Sequence, residues 1–150
     1  MEREFIHRTG TELTEFAQSE LTGRILKAAF EVHTALGPGL LESAYQGAMA
    51  HELQLQGLSF ASQVGVPLQY KGMNLSSPLR LDLLVEGLVI VEIKSIVTLE
   101  DIHRAQLLTY LRLTNLEAGL LVNFNVVSLK LGIKRVINTL RNSANSVPLR

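Results

Sequence analysis

The sequence predicts a mixed α/β domain, in which helices flank a central mixed sheet. Apolar residues recur at helical spacing in two successive N-terminal segments. Short, strand-like segments fill the middle of the chain, and a third helical segment is followed by an apolar run typical of a buried strand. The predicted order of elements is therefore ααββββαββ.

The first two helices are predicted to form a hairpin. Residues 20–36 have apolar side chains at helical spacing, and the Gly-Pro-Gly at 37–39 ends that helix. A second helical pattern covers residues 40–56, and Gly57 is placed to cap its C-terminus. The short connection between the two patterns favours an antiparallel pair of helices.

The strands are predicted from apolar runs that are bounded by turn residues. The four central strands are expected at residues 60–66, 68–70, 79–85 and 88–95. Pro67 indicates an edge or a bulge, and residues 71–74 have the composition of a turn. A helix is expected at 99–114, a buried strand at 118–124 and a last strand at 132–137.

Composition predicts one globular domain with polar ends. The chain has 150 residues, is 47% hydrophobic and contains no cysteine, which excludes disulfides and cysteine nucleophiles. We expect an N-terminal arm at 1–18, a domain at 19–141 and a C-terminal tail at 142–150. The N-terminus has no apolar signal core and no run is long enough for a spanning helix. A cytoplasmic protein without a membrane segment is expected.

Charge sets a condition on any nucleic-acid hypothesis. Lys and Arg total 14, Asp and Glu total 14, and the formal net charge is zero. A protein that binds long nucleic acid by itself usually has a basic excess. Three explanations remain: the basic groups are clustered on one face, a partner protein or second copy provides the contacts to nucleic acid, or nucleic acid is not the substrate.

The most informative stretch is residues 80–94, which read as a β-hairpin with its turn at Gly87. Antiparallel pairing then places Val85 opposite Val89 and Leu84 opposite Ile90. It also places Asp82 opposite Glu92 and Arg80 opposite Lys94. Because side chains alternate between faces, one face is wholly apolar and belongs to the core: it holds Leu81, Leu83, Val85, Val89, Val91 and Ile93.

The opposite face brings two carboxylates together. Directly opposed side chains have Cβ atoms about 5 Å apart, and like charges at that distance destabilise a sheet. A divalent cation such as Mg²⁺ would offset the repulsion between Asp82 and Glu92. Ion pairs with Arg80 and Lys94 on an exposed face would do so as well, and a one-residue change of register would separate the acids. The hairpin alone leaves these alternatives open.

Several motifs together resemble a known family. Asp82 followed by Glu92-Ile93-Lys94 resembles the D…(D/E)-x-K signature of the PD-(D/E)xK nuclease superfamily. Residues 39–45, Gly-Leu-Leu-Glu-Ser-Ala-Tyr, match the pattern that names the GxxExxY protein family. The resemblance covers about residues 20–138 and includes Glu31-Val32-His33, Leu36-Gly37-Pro38, His103, Gln106, Leu107, Leu108, Tyr110, Leu111, Val122-Asn123-Phe124-Asn125 and Gly132-Ile133-Lys134-Arg135.

The resemblance implies a restriction-endonuclease-like core and a metal site. It makes Asp82, Glu92 and Glu42 ligands of Mg²⁺ or Mn²⁺, and the carbonyl of Ile93 a further oxygen donor. Lys94 would orient or deprotonate the attacking water and stabilise charge on the phosphate. The alternatives from the residues alone are salt bridges for the two strand acids, a surface position for Lys94, and a helix-dipole preference for Glu42.

A second group of residues is expected to border the metal site. Gln106 and Tyr110 lie on one helical face, and their spacing is similar to the Q-x-x-x-Y helix of recombination-type PD-(D/E)xK nucleases. We therefore predict catalytic roles for them beside Lys94 and Glu42. Arg80, Arg104 and His103 are predicted to contact nucleic acid, although such charges are more often simply solvated. Tyr45 is predicted to be a packing residue with its hydroxyl at the edge of the site.

The leading hypothesis is a Mg²⁺- or Mn²⁺-dependent nuclease that hydrolyses phosphodiester bonds of DNA or RNA. The main alternative is a nuclease-like fold used for binding or assembly, with little or no catalysis, which the neutral charge favours. A small-molecule hydrolase that uses the same metal site is a third reading.

Overall fold

The computed structural model describes the backbone of residues 10–76 and 79–139, and the side chains of these ranges from residue 18 onwards. Helix α1 spans Gly10–Leu36, so the helix predicted at 20–36 is the C-terminal part of a longer one. Residues 10–18 of the predicted N-terminal arm are helical, whereas residues 1–9 and the predicted tail lie outside the described residues. Within the described ranges, no helix combines the length and apolarity needed to cross a bilayer.

Helix α2 spans Glu42–Leu55 and packs against α1, which confirms the predicted helical hairpin. Gly37, at φ +67°, ends α1 and donates its N–H to the carbonyl of His33 over 2.8 Å. Gly57 has φ +73°, and Leu58 donates to the carbonyl of Leu53 over 2.9 Å. That pairing is the six-to-one bond of a Schellman cap, so Gly57 has the capping role predicted for it.

A five-stranded mixed sheet lies at the centre of the molecule. Its strand order is β1-β4-β5-β6-β7. The strands are β1 Phe60–Gly65, β4 Arg80–Val85, β5 Val89–Lys94, β6 Ala118–Asn123 and β7 Ile133–Ile137. β5 and β6 are parallel, and the other neighbours are antiparallel. Helix α3, Asp101–Thr114, is the crossover between the parallel pair, and a short 3₁₀ helix, Leu129–Gly132, precedes β7.

Two strands form a separate small sheet. β2, Leu68–Tyr70, pairs in antiparallel register with β3, Met73–Leu75. The predicted turn at 71–74 was too long, because only Lys71 and Gly72 form the turn and Met73 begins a strand. Both turn residues have positive φ, +46° and +82°, as the two-residue turns of β-hairpins require.

The sheet separates two apolar layers. α1 and α2 cover one face through a cluster that includes Ile25, Met49 and Val91, and α3 covers the other through a cluster that includes Ile90, Leu107 and Leu121. Gly119 sets how closely α3 approaches β6, since a Cβ there would lie 2.8 Å from Cδ1 of Leu107. The mixed α/β architecture with flanking helices is thus confirmed.

The strict alternation predicted for the hairpin is wrong at one position. Leu83, Val85, Val89, Val91 and Ile93 belong to the α1–α2 layer, but Leu81 is buried in the α3 layer. The change of face coincides with a break in strand pairing: Ser62 pairs with Leu83 and Val64 with Leu81, without a Gln63–Asp82 pair between them. Gln63 has φ +52°, so the backbone turns where Asp82 leaves the ladder.

Candidate active site

Asp82 and Glu92 meet at the point where the β4–β5 ladder ends. The predicted pairs Val85–Val89 and Leu84–Ile90 are present, and the ladder extends to Leu83–Val91. One residue further, side chains replace carbonyls as acceptors. The backbone N–H of Asp82 donates to Oε1 of Glu92 over 3.1 Å, and the N–H of Ile93 donates to Oδ2 of Asp82 over 2.8 Å.

Burial makes the Glu92 carboxyl a weak acid. Its residue is only 5% exposed, and loss of hydration raises its pKa from 4.5 to about 8. The neighbouring negative charge of Asp82 acts in the same direction, and so does a hydrogen bond between the two carboxyls. The Asp82 N–H and the charge of Lys94 oppose the rise. Without a cation, the pair therefore keeps its proton to a higher pH than an exposed carboxyl does.

Glu42 on α2 lies near the same end of strands β4 and β5. It is the first residue of that helix, and its carboxylate accepts a hydrogen bond from the N–H of Ser95, which lowers its pKa. Partial burial outweighs this and raises the pKa overall; Lys94 lowers it and Asp82 raises it. Because both charges act on Glu42, the structure brings Glu42, Asp82, Glu92 and Lys94 into one electrostatic cluster.

α3 supplies an aromatic hydroxyl to this cluster. Tyr110 is buried, and burial followed by the charges of Glu92 and Asp82 raises its pKa. Gln106 donates from Nε2 to the Tyr110 hydroxyl oxygen over 2.9 Å, which lowers that pKa. The i, i+4 pair predicted from spacing therefore forms a direct hydrogen bond, and Tyr110 faces the strand carboxylates.

The sequence reasoning gave no role to Asn123, which holds the segment after β5. Asn123 is 1% exposed. Its Oδ1 accepts the N–H of Ile96 over 3.1 Å and of Asn125 over 3.2 Å, and its Nδ2 donates to the Ile96 carbonyl over 2.9 Å. A polar residue near the end of an otherwise apolar strand was the available signal. Asn123 fixes the chain that carries Lys94 and Ser95.

Ser95 ties this segment to the start of α2. Its hydroxyl donates to the carbonyl of Leu40 over 2.5 Å, while its N–H binds the Glu42 carboxylate. The residue after the Glu-x-Lys triplet thus positions the third acid, a role that the sequence analysis missed.

Tyr45 is a packing residue, as predicted, and its hydroxyl binds the loop between α1 and α2. The ring is fully buried and stacks on Phe124, with centroids 4.6 Å apart. The hydroxyl donates to the Gly37 carbonyl over 2.5 Å and accepts the Leu40 N–H over 3.2 Å. Tyr45 therefore fixes the α1–α2 loop, from which the Leu40 carbonyl reaches Ser95.

Comparison with protein families agrees with this arrangement. The family model of the PD-(D/E)XK nuclease superfamily matches residues 19–136. The chain belongs to the PD-(D/E)XK nuclease superfamily. Neither a curated protein nor a solved structure gives a significant match to it.

Asp82, Glu92 and Lys94, the three residues whose spacing resembles the superfamily signature, lie in β4 and β5 near the end of the sheet where the ladder between these strands stops. Nucleases of the PD-(D/E)XK type typically use divalent metals. The donors fit such an ion chemically, because carboxylate and carbonyl oxygens are the ligands that Mg²⁺ and Mn²⁺ prefer. In residues 10–76 and 79–139, however, no three acidic, histidine or cysteine side chains are grouped as a metal would require. The carboxylates instead bind backbone N–H groups and each other.

The residues predicted to contact nucleic acid lie in different environments. Arg80 and Arg104 are exposed at the start of β4 and on α3. His103 is partly buried, and its Nδ1 accepts the N–H of Glu100 over 2.9 Å, which caps α3. The cap accounts for His103 structurally, and its contact with nucleic acid stays a prediction.

A cleft of about 340 Å³ lies elsewhere, at the turn of the β4–β5 hairpin. Glu86 and Leu88 line it together with residues of α1. It contains none of the predicted site residues.

Proposed function

We propose that the protein is a metal-dependent nuclease that hydrolyses phosphodiester bonds of DNA or RNA with Mg²⁺ or Mn²⁺. The observation that carries the proposal is the meeting of Asp82, Glu92 and Lys94 at one sheet edge, with Glu42 and Tyr110 acting on the same charges. Superfamily membership supports the reaction class.

Asp82 and Glu92 would hold the metal, with Glu42 and the carbonyl of Ile93 as further oxygen donors. The raised pKa of Glu92 supports this assignment, since a buried carboxylate next to another acid is stabilised by a cation. When bound, a divalent cation polarises the phosphoryl oxygen and lowers the pKa of a coordinated water. The Asp82–Ile93 and Asp82–Glu92 hydrogen bonds fix the side chains in advance.

Lys94 would orient the attacking water and stabilise the negative charge that develops on the phosphate. Its charge already acts on Glu42 and on Glu92, so it lies close to two of the proposed metal ligands, one on α2 and one on β5. Tyr110, held by Gln106, would border the scissile phosphate from the α3 side. A hydroxyl with a raised pKa stays protonated at neutral pH and is able to donate to a phosphate oxygen.

The test is cleavage of labelled DNA and RNA by the wild type and by Lys94→Ala, with Mg²⁺ and with Mn²⁺. Removal of a group that acts only on the transition state should lower kcat by at least about 100-fold. Lys27→Ala removes an equal charge from an exposed position on α1 and should cleave like the wild type. A folded Lys94→Ala protein with wild-type activity rules out the assigned role.

A second candidate is a nuclease-fold module for binding or assembly. It is favoured by the zero net charge and by the two strand acids, which bind backbone N–H groups rather than being grouped as ligands. Under this alternative, the wild type binds nucleic acid or a partner protein but cleaves nothing with either metal.

Membership of the narrower GxxExxY family is also a proposal. It is supported by distinct roles for the three residues that define the pattern. Gly39 has φ +96° in the α1–α2 loop, Glu42 binds the Ser95 N–H, and Tyr45 fixes the loop through its hydroxyl.

A further inference from the structure

The β2–β3 hairpin, residues 68–75, extends from the body of the protein as an arm. Its contacts are chiefly between its own two strands. Five of its six strand residues are exposed and Leu68 is partly buried. Tyr70 is 60% and Met73 65% exposed. The ammonium of Lys71 lies 5.3 Å from the centre of the Tyr70 ring, and Gln69 donates to Asn74 over 2.7 Å.

This arm contributes little to the hydrophobic core. An isolated two-stranded hairpin is at best marginally stable in water, and large side chains such as Tyr70 and Met73 would stabilise the fold more if they were buried. Their exposure on a projecting turn is typical of a contact surface.

The sheet topology places the arm at the same ends of the strands as the candidate active site. β1 ends at Gly65, which pairs with Arg80, two residues before Asp82. The base of the arm is closed by the N–H of Val66, which donates to the Leu79 carbonyl over 2.9 Å. Val66 is buried in the cluster that contains Tyr110. The arm therefore begins beside the residues that face the carboxylates.

The charge of this segment differs from that of the whole chain. Between Glu52 and Asp82 the sequence contains no acid, and its cations are Lys71 in the arm and Arg80 at its base. In a chain with equal numbers of acids and bases, the arm and its base thus present a surface whose two formal charges are both positive. Such a surface complements the phosphates of a nucleic-acid strand.

We propose that the β2–β3 arm binds the nucleic-acid strand next to the scissile phosphate, with Lys71 on a phosphate and Tyr70 against the bases or sugars. The inference rests on the proposed nuclease function, and it assigns the binding to residues outside the catalytic cluster. A two-stranded ribbon fits the major groove of a duplex, and an exposed aromatic ring stacks on unpaired bases. A duplex and a single strand both present backbone phosphates that Lys71 would contact.

The test measures binding of labelled duplex and single-stranded oligonucleotides in a Lys94→Ala background with Mg²⁺, so that cleavage does not interfere. Tyr70→Ala should weaken binding roughly tenfold. Lys71→Ala should reduce the slope of log affinity against log salt by about 1. Phe30→Ala and Lys27→Ala remove an aromatic ring and a cation from exposed positions on α1 and should bind like the background protein.

Each outcome decides a separate point. A loss confined to the duplex identifies groove binding, and a loss confined to single strands identifies stacking; both support the arm. Arm variants that fold and bind like the controls overturn the inference, as does a wild type that binds no nucleic acid. A change in oligomeric state with unaltered binding also overturns it and assigns the arm to a second copy of the chain. Arm-dependent binding without cleavage by the wild type rejects the nuclease proposal alone.

Discussion

The backbone N–H of Asp82 donates to Oε1 of Glu92 across the two central strands, over 3.1 Å. Each of the two acids thus accepts a backbone N–H from the opposite strand, where a carbonyl would accept it in a regular ladder. The hydrogen bond from the Asp82 N–H fixes Glu92 without any cation and lowers its pKa, but burial and the neighbouring charge of Asp82 outweigh it and raise the pKa to about 8. It also explains how a sheet tolerates two opposed carboxylates.

Metal binding should depend on Asp82. Mg²⁺ or Mn²⁺ should raise the thermal midpoint of the wild type, because a ligand of the native state stabilises it by mass action. Asp82→Asn keeps an oxygen for the Ile93 N–H but loses the charge, so its midpoint should not respond. Differential scanning fluorimetry over a metal titration measures this. Glu31→Gln, an exposed change on α1, should respond like the wild type, and equal responses of all three proteins would exclude Asp82 as a ligand.

The stability of the metal-free protein should fall as the pH rises from about 4.5 to about 8. Folding raises the pKa of Glu92 from 4.5 to about 8, so the native state binds more protons than the unfolded state between these values. Stability is then highest below the lower pKa and decreases with pH through the window. Glu42, whose pKa is also raised, acts in the same direction.

Glu92→Gln tests this pH dependence, because glutamine keeps an oxygen for the Asp82 N–H and does not titrate. Urea midpoints measured in chelator between pH 5 and 9 should fall less steeply for Glu92→Gln than for the wild type. A wild type whose stability rises across this range would contradict the raised pKa. Glu31→Gln should retain the wild-type slope.

Tyr45→Phe should lower the free energy of unfolding by about 1–2 kcal/mol, since two buried hydrogen bonds are lost while the ring stays. The lost partners are the Gly37 carbonyl and the Leu40 N–H. Chemical denaturation measures the change. Tyr70→Phe, at an exposed tyrosine, should be neutral within about 0.5 kcal/mol, and an equal loss in both variants would show that the loop bonds contribute nothing.

Gly132→Ala and Gly47→Ala should change stability in opposite directions. A Cβ at Gly132 would overlap the carbonyl oxygen of Asn123, whereas a Cβ at Gly47 meets no atom within 4 Å. Gly47 lies in α2, where alanine is favoured over glycine by up to about 1 kcal/mol. Thermal melts should show a lower midpoint for Gly132→Ala and a higher one for Gly47→Ala. Similar midpoints would mean that β7 and β6 move apart without cost.

Local patterns in the sequence were sufficient to predict most of the helices and strands of the fold. Helical spacing predicted the α1–α2 hairpin, and Gly87 set the register of β4 and β5 as far as Leu83 and Val91. Beyond that point the alternation rule failed, because the positive φ of Gln63 and the side-chain bonds of Asp82 turn the strand. The alternation of apolar and polar residues along β4 does not indicate that the backbone of the neighbouring strand β1 changes direction at Gln63.

The candidate site was predicted from residues that lie close together in the sequence. The distant residues that hold these site residues in place were not predicted. Asp82, Glu92 and Lys94 lie within one hairpin, and Gln106 and Tyr110 within one helix turn. Asn123 reaches Ile96 from another strand, and Ser95 reaches Leu40 over 55 positions. The first contact depends on the parallel pairing of β5 with β6, and the second on the packing of α2 against β5. Both bring distant segments together only after folding.

The lack of a side chain at Gly119 has a consequence for how the protein tolerates substitution. A larger residue there would press on Leu107 and lift α3 from the sheet. Tyr110 lies one helical turn from Leu107 and would move away from Glu92 with it. Because the α1–α2 layer lies on the other face of the sheet, we expect substitutions at position 119 to disturb the candidate site more than the fold. The missing side chain at position 119 therefore sets the distance between Tyr110 and the strand acids through the position of α3.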